Sequence, residues 1–176
     1  AGGRLMVAVN LRFEDLDWVV GELTRMRERG SRTFLLKSGP TGDTPPNHPD
    51  YDRLWSAVTD LGMMPIVHVG QSPAIYHPAW ANTDDPSLIR MISVLEPTQQ
   101  ALVFLNAMVI GGVFERHPAL KIVCVEADAG WVPHFMYRMD HAFNRHRYWL
   151  KPGAELTKLP SEHFAENIYV TFQDDW

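Results

Sequence analysis

Five short apolar runs recur along this chain at intervals that few folds accommodate: RLMVAV (4–9), TFLLK (33–37), PIVHV (65–69), KIVCVE (121–126) and NIYVTF (167–172). Stretches of helical periodicity separate them. Leu16, Val19, Val20, Leu23 and Met26 fall on one helical face, as do Tyr51, Leu54, Trp55, Val58 and Leu61, which is the 3.6-residue spacing of an amphipathic helix. Gly30 and Gly62 follow these stretches, where glycine commonly stops a helix. A third helical region runs from about Ser87 to Arg116. It should break near Glu96-Pro97, because proline disfavours helix at the residue before it. A fourth spans about Trp131 to Trp149. Strands that alternate with helices pair in parallel through right-handed crossovers.

Two architectures share that rhythm. A doubly wound sheet often carries a Gly-rich phosphate loop after its first strand. Here the first strand leads into NLRFEDLD, so the weight shifts to a barrel. A complete (β/α)8 barrel needs ~250 residues, and this chain has 176. The expected class is therefore α/β: part of a (β/α)8 TIM barrel, about five parallel strands, one domain over 1–176. Five strands cannot close the ring. They leave two unpaired edges, prone to aggregate or to pair with another chain.

Composition narrows the function. A formal net charge of -5 and a pI near 5.9 argue against nucleic acid, since phosphate binding needs a basic surface. No apolar run approaches the ~20 residues of a membrane helix. The N-terminal AGGR lacks the features of a signal peptide. Cys124 is the only cysteine, which rules out an intrachain disulfide and suits a reducing cytoplasm.

Sites in barrels and open α/β sheets form at the carboxyl ends of the strands. Those ends are polar here: Lys37-Ser38, His68, Glu126 with Asp128 two residues on, and Gln173 followed by Asp174 and Asp175. Strand alternation puts His68 on the face of Ile66, and Glu126 on the face of Ile122 and Cys124; we expect both faces to be the barrel interior. A histidine and carboxylates on one rim can hold a divalent metal. Such a metal lowers the pKa of bound water or polarises a substrate, and Glu126 can serve as base. The competing readings are a satisfied core histidine at His68 and a salt bridge between Glu126 and Lys37. His48, His77 and His117 precede prolines and read as turn or helix-end residues, although the loops of His48 and His77 sit on the active rim. His134, His141 and His146 lie on a solvated helix face, and His163 precedes a strand at the wrong end for a site. Cys124 reads as a small buried hydrophobe. Trp80 and Trp131 are candidates to line a pocket.

The segment NAMVIGGVFERHPALKIVCVEADAGWVP (106–133), with PIVH (65–68) before it, resembles the amidohydrolase-related family of metal-dependent barrels. That family includes aminocarboxymuconate-semialdehyde decarboxylase and aromatic-acid decarboxylases. The matching residues are Gly111 to Arg116, Pro118, Leu120, Lys121 and Pro65 to His68. The resemblance implies that the five strands are the third to seventh of a barrel, with the first, second and eighth outside this sequence. It also implies that the chain is a piece of a longer protein. His68 takes the place of the fifth-strand ligand of one divalent metal, zinc or manganese. The family's H-x-H and late aspartate have no counterpart here. Decarboxylases of the family carry A-H-x-G-G where this chain has Glu126 in V-E-A-D-A-G-W.

The implied function is a metal-dependent hydrolase or decarboxylase acting on a small carboxylated, aromatic substrate. Glu126 would act on water or substrate, Lys37 would pair with a substrate carboxylate, and Gln173 would supply a weaker polar contact. The alternative is a metal-free barrel that binds a small molecule or partner without turnover. The expected partner is a small molecule, not nucleic acid or membrane, and homo-oligomerisation is left open.

Overall fold

Helices and strands fall close to where the hydrophobic periods place them in a computed structural model that describes residues 5–70, 74–150 and 156–173. In chain order they are β1 (Ala8–Asn10), α1 (Leu16–Glu28), β2 (Thr33–Lys37), α2 (Asp52–Asp60), β3 (Met64–His68), α3 (Pro86–Ser93), α4 (Glu96–Ile110), α5 (Val113–Arg116), β4 (Ile122–Val125), α6 (Val132–His146), α7 (Pro160–Asn167) and β5 (Ile168–Val170). The expected break between α3 and α4 is present. α7 was not expected from the sequence. It is eight residues long, too short for two full repeats of the apolar spacing. Its start is marked by Pro160 and by Glu162, whose carboxylate accepts the Leu159 backbone N–H at 2.7 Å.

All neighbouring strands pair in parallel, in the order β1-β2-β3-β4-β5. A doubly wound sheet reverses its strand order at a switch point. No reversal occurs here, so the sheet is an arc of a barrel. Its two faces differ. Phe34, Leu36, Val67, Ile122 and Cys124 are buried against the helices. Each of these side chains contributes about 1.5–3 kcal/mol when removed from water, Cys124 less. Alternating with them, Leu35, Ile66, Val123 and Val125 stay only half-buried, because the opposite wall of the ring is not part of this arc.

The outer strands are shorter than the apolar runs suggested. Leu5, Met6 and Val7 precede β1 and are exposed, since β1 has a partner on one side only. At the other edge, Asn167 ends α7 and does not start β5. Its side chain donates to the carbonyls of Pro118 and Leu120 at 2.9 and 2.7 Å.

Local rules explain the turns that set the helices on the sheet. The Asp15 carboxylate accepts the N–H groups of Asp17 and Trp18 and caps α1. Gly111 has no alternative. A Cβ there would lie 2.3 Å from the Ala107 carbonyl and 2.6 Å from Asn47 Nδ2. No helix among the described residues is long and apolar enough to cross a membrane.

Candidate active site

Register brings the first two site residues together. Lys37 of β2 pairs with His68 of β3, and His68 pairs with Val125 of β4. These three residues form the last row of the sheet on its open face, at the carboxyl ends of the strands. His68 is half-buried, and its Nδ1 lies 2.9 Å from the Val69 carbonyl oxygen. A carbonyl only accepts, so Nδ1 carries the proton. Nε2 is then the atom that can take a second proton or a metal ion, and it stands 3.4 Å from Glu126 Oε2.

Strand alternation does not govern Glu126. Ile122 and Cys124 face the helices, not the interior. Val125 occupies the row beside His68. An extended Glu126 would follow Cys124 onto the helix side. Instead Glu126 has φ 63°, and Asp128 has φ 55°. Left-handed backbone at a residue other than glycine costs of order 1–3 kcal/mol. Here it reverses the chain just past the strand and returns the Glu126 carboxylate to the open face. The Glu126 N–H donates to Thr171 Oγ1 at 3.3 Å, and the Thr171 N–H donates to the Cys124 carbonyl at 3.1 Å. Trp131 Nε1 donates to the carbonyls of Ala127 and Asp128 at 2.7 and 2.9 Å. Its ring packs edge-on against Phe135 and Phe164, so Trp131 braces the turn.

Imidazole Nε2 and a carboxylate oxygen thus stand 3.4 Å apart at the rim. The arrangement is favourable only with positive charge between them: a second proton on the imidazole, or a metal ion. The 3.4 Å separation is about what two ligands at ~2.1 Å from a tetrahedral ion require. A histidine whose far nitrogen is fixed by a carbonyl is also the usual form of a metal ligand. The donor set fits a divalent metal in part. No group of three or more His, Cys, Asp or Glu suited to a metal ion occurs among the described residues.

Among the described residues Lys37 forms no salt bridge with Glu126, whose carboxylate lies beside His68 instead. The charge of Lys37 reaches Glu14 in the β1–α1 loop. The Glu14 carboxyl is held below the usual range, mainly by its own backbone N–H and in smaller part by Arg12 and Lys37. Gln173 lies three residues past β5 and is exposed, and Asp174 and Asp175 fall outside the described residues. His48 and His77 each accept a backbone N–H through Nδ1, from Asp50 and Ala79, and cap short 3-10 turns. His134 and His141 are exposed on α6, and His117 and His163 pair with Asp52 and Glu115; His146, expected on the solvated face, instead stacks on Trp149 with its Nδ1 buried. Trp80 is exposed.

Thr171 and the bracing role of Trp131 were not legible in advance, because both depend on the turn geometry. Two concavities flank the rim. A wide cleft of about 970 Å³ separates residues 13–16 from 41–53. An apolar cavity of about 350 Å³ lies between the β2–α2 loop and α4, lined by Pro40, Pro45, Ile75, Val103 and Phe104. Neither contains His68 or Glu126.

Known proteins share this arrangement of chain. The family model Amidohydro_2, described as amidohydrolase, matches residues 1–171. An amidohydrolase from Mycobacterium avium subsp. paratuberculosis K-10 superposes with a TM-score of 0.78 at 22% identity, covering 96% of this chain and 43% of its own. The 2,6-dihydroxybenzoate decarboxylase from Rhizobium gives 0.73 at 22% identity, covering 96% and 52%. The 5-carboxyvanillate decarboxylase from Novosphingobium aromaticivorans DSM 12444, complexed with manganese and 4-hydroxy-3-methoxy-5-nitrobenzoic acid, gives 0.73 at 20% identity, covering 97% and 47%. The chain thus spans about half the length of these structures. At such identities the likeness establishes the barrel fold.

Proposed function

The chain belongs to the amidohydrolase family, and from that premise we propose that it carries part of the site of a metal-dependent hydrolase or decarboxylase. The substrate would be a small carboxylated, aromatic molecule. The observation that carries this reading is His68 Nε2 standing 3.4 Å from the Glu126 carboxylate at a strand-end rim, with Nδ1 held by the Val69 carbonyl. The decarboxylases among the structural neighbours are named for aromatic carboxylates, and one holds manganese with a nitrobenzoic acid. That favours an aromatic acid here.

His68 would hold zinc or manganese through Nε2, with further donors from outside these residues. When bound, a divalent metal supplies Lewis-acid polarisation and a lowered water pKa. The Val69 carbonyl keeps the ring in the tautomer that leaves Nε2 free. In hydrolysis the Glu126 carboxylate takes a proton from the attacking water. In decarboxylation the protonated Glu126 delivers it to the ring carbon that keeps the electron pair of the broken C–CO2 bond. Lys37 would pair with the substrate carboxylate, and Gln173 would supply a polar contact at the rim. The lone, buried Cys124 suits a reducing compartment, and the proposal places the protein in the cytoplasm.

Glutamate in place of the histidine of the decarboxylases keeps a second reading open, a binding barrel without turnover. Elemental analysis of the full-length protein and its His68→Ala variant separates the two. About one equivalent of metal, lost in the variant, supports the enzyme and justifies screening carboxylated aromatics. No metal after gentle purification and reconstitution favours the binding barrel.

A further inference from the structure

Glu126 reaches His68 only by breaking the rule that governs the strand before it. Along β4 the residues facing the helices are Ile122 and Cys124, both buried. Two residues further, an extended backbone would send Glu126 the same way. The left-handed φ of 63° at Glu126 and 55° at Asp128 prevents this. Glycine takes such angles without strain, and neither position is glycine.

Strain of this kind persists only where the surroundings over-determine it. Two contacts meet that need. The Thr171 hydroxyl, one residue past β5, accepts the Glu126 N–H at 3.3 Å. The Trp131 indole bridges the Ala127 and Asp128 carbonyls at 2.7 and 2.9 Å. Its ring is locked by Phe135 and Phe164, at centroid distances of 5.6 and 6.1 Å. The buried methyl of Ala127 pins the turn between the two strained residues.

We infer that Thr171 and Trp131 are positioning residues: they hold the left-handed turn at 126–128 and so aim the Glu126 carboxylate at His68. The inference rests on the proposed role of Glu126 and adds the device that makes that role possible. Neither residue touches the reacting atoms. They act through the backbone.

The test is structural and needs neither metal nor substrate. Crystal structures of the full-length protein are compared for wild type, Thr171→Val, Thr171→Ser and Trp131→Phe. In Thr171→Val or Trp131→Phe the Glu126 carboxylate should move from His68 Nε2 by about 1 Å or more, the scale at which catalytic geometry is lost. Thr171→Ser should restore it. A left-handed Glu126 still at its wild-type distance in both variants would overturn the inference. Glu126→Gly supplies an independent readout. Because it releases strain, its melting temperature should rise; a value at or below wild type contradicts stored strain. Metal retained by His68→Ala would count against the proposed function while leaving these readouts intact.

Discussion

His163 and Glu115 meet at 3.0 Å with the histidine side chain only 5% exposed, whereas His68 and Glu126 stand 3.4 Å apart with side chains 33% and 50% exposed. The first pair joins α7 to α5, below the sheet. Glu115 also accepts the hydroxyl and backbone N–H of Thr157, at 2.6 and 3.1 Å. Its backbone is ordinary helix, and its acceptors are filled by neighbours. The second pair joins the end of β3 to a strained turn, with 3.4 Å between imidazole and carboxylate. A buried polar group is stable when satisfied; a site for a ligand must leave something unsatisfied. The same two residue types therefore build a brace in one place and a candidate metal centre in the other.

The largest separation of the pairs should appear in rate. Glu126→Gln is expected to lower turnover of a carboxylated aromatic substrate by roughly 10²–10⁴-fold, the usual worth of a positioned acid or base, without loss of stability. Unchanged turnover would remove Glu126 from the chemistry.

The converse effect belongs to the brace. His163→Ala should cost about 2 kcal/mol in denaturant unfolding, because it leaves a partly buried carboxylate short of a partner. Metal content per folded molecule should not change. Acid should expose the same contrast. Hydrogen bonding by Thr157 first, then the His163 charge, holds the Glu115 carboxyl below its ordinary 4.5 against the opposing effect of burial. A depressed folded value stabilises above pH 4.5, and that contribution fades as pH falls through the lowered value. Stability measured from pH 5 downward should therefore fall less steeply in Glu115→Gln than in wild type. An identical slope would show that Glu115 is not coupled to folding.

The smallest effect tests the faces of the sheet. Burial pushes the Cys124 thiol up to about 11, and its side chain faces the helices. Native protein at pH 8 should resist alkylation, and urea should restore reactivity. A reactive native thiol would mean that Cys124 looks into the open interior, as simple alternation first suggested.

The difference between the two pairs was only partly legible in the sequence. The βα order and the barrel arc follow from periodicity, which reports burial directly. His68 was readable as the lone ionisable residue at the end of an apolar strand. His163 was rightly assigned a structural role, although the helix that carries it went unseen because eight residues are too few for a periodic signal. Glu126 was identified through its place after the strand, by a face argument that the structure reverses. Alternation holds only while the backbone stays extended, and nothing in V-E-A-D-A-G-W states that its glutamate and aspartate turn left-handed. The brace by Thr171 and Trp131 is a consequence of that turn. It lies between residues 40 or more positions apart or on main-chain carbonyls, where sequence spacing carries no signal.

The most direct test of the open pair is anomalous diffraction from crystals of the full-length protein grown with zinc or manganese. The account predicts a metal peak about 2.0–2.3 Å from His68 Nε2, on the side facing Glu126. Clear density for a direct His68–Glu126 hydrogen bond, with no anomalous peak at the rim, would contradict it and make this pair a brace like the other.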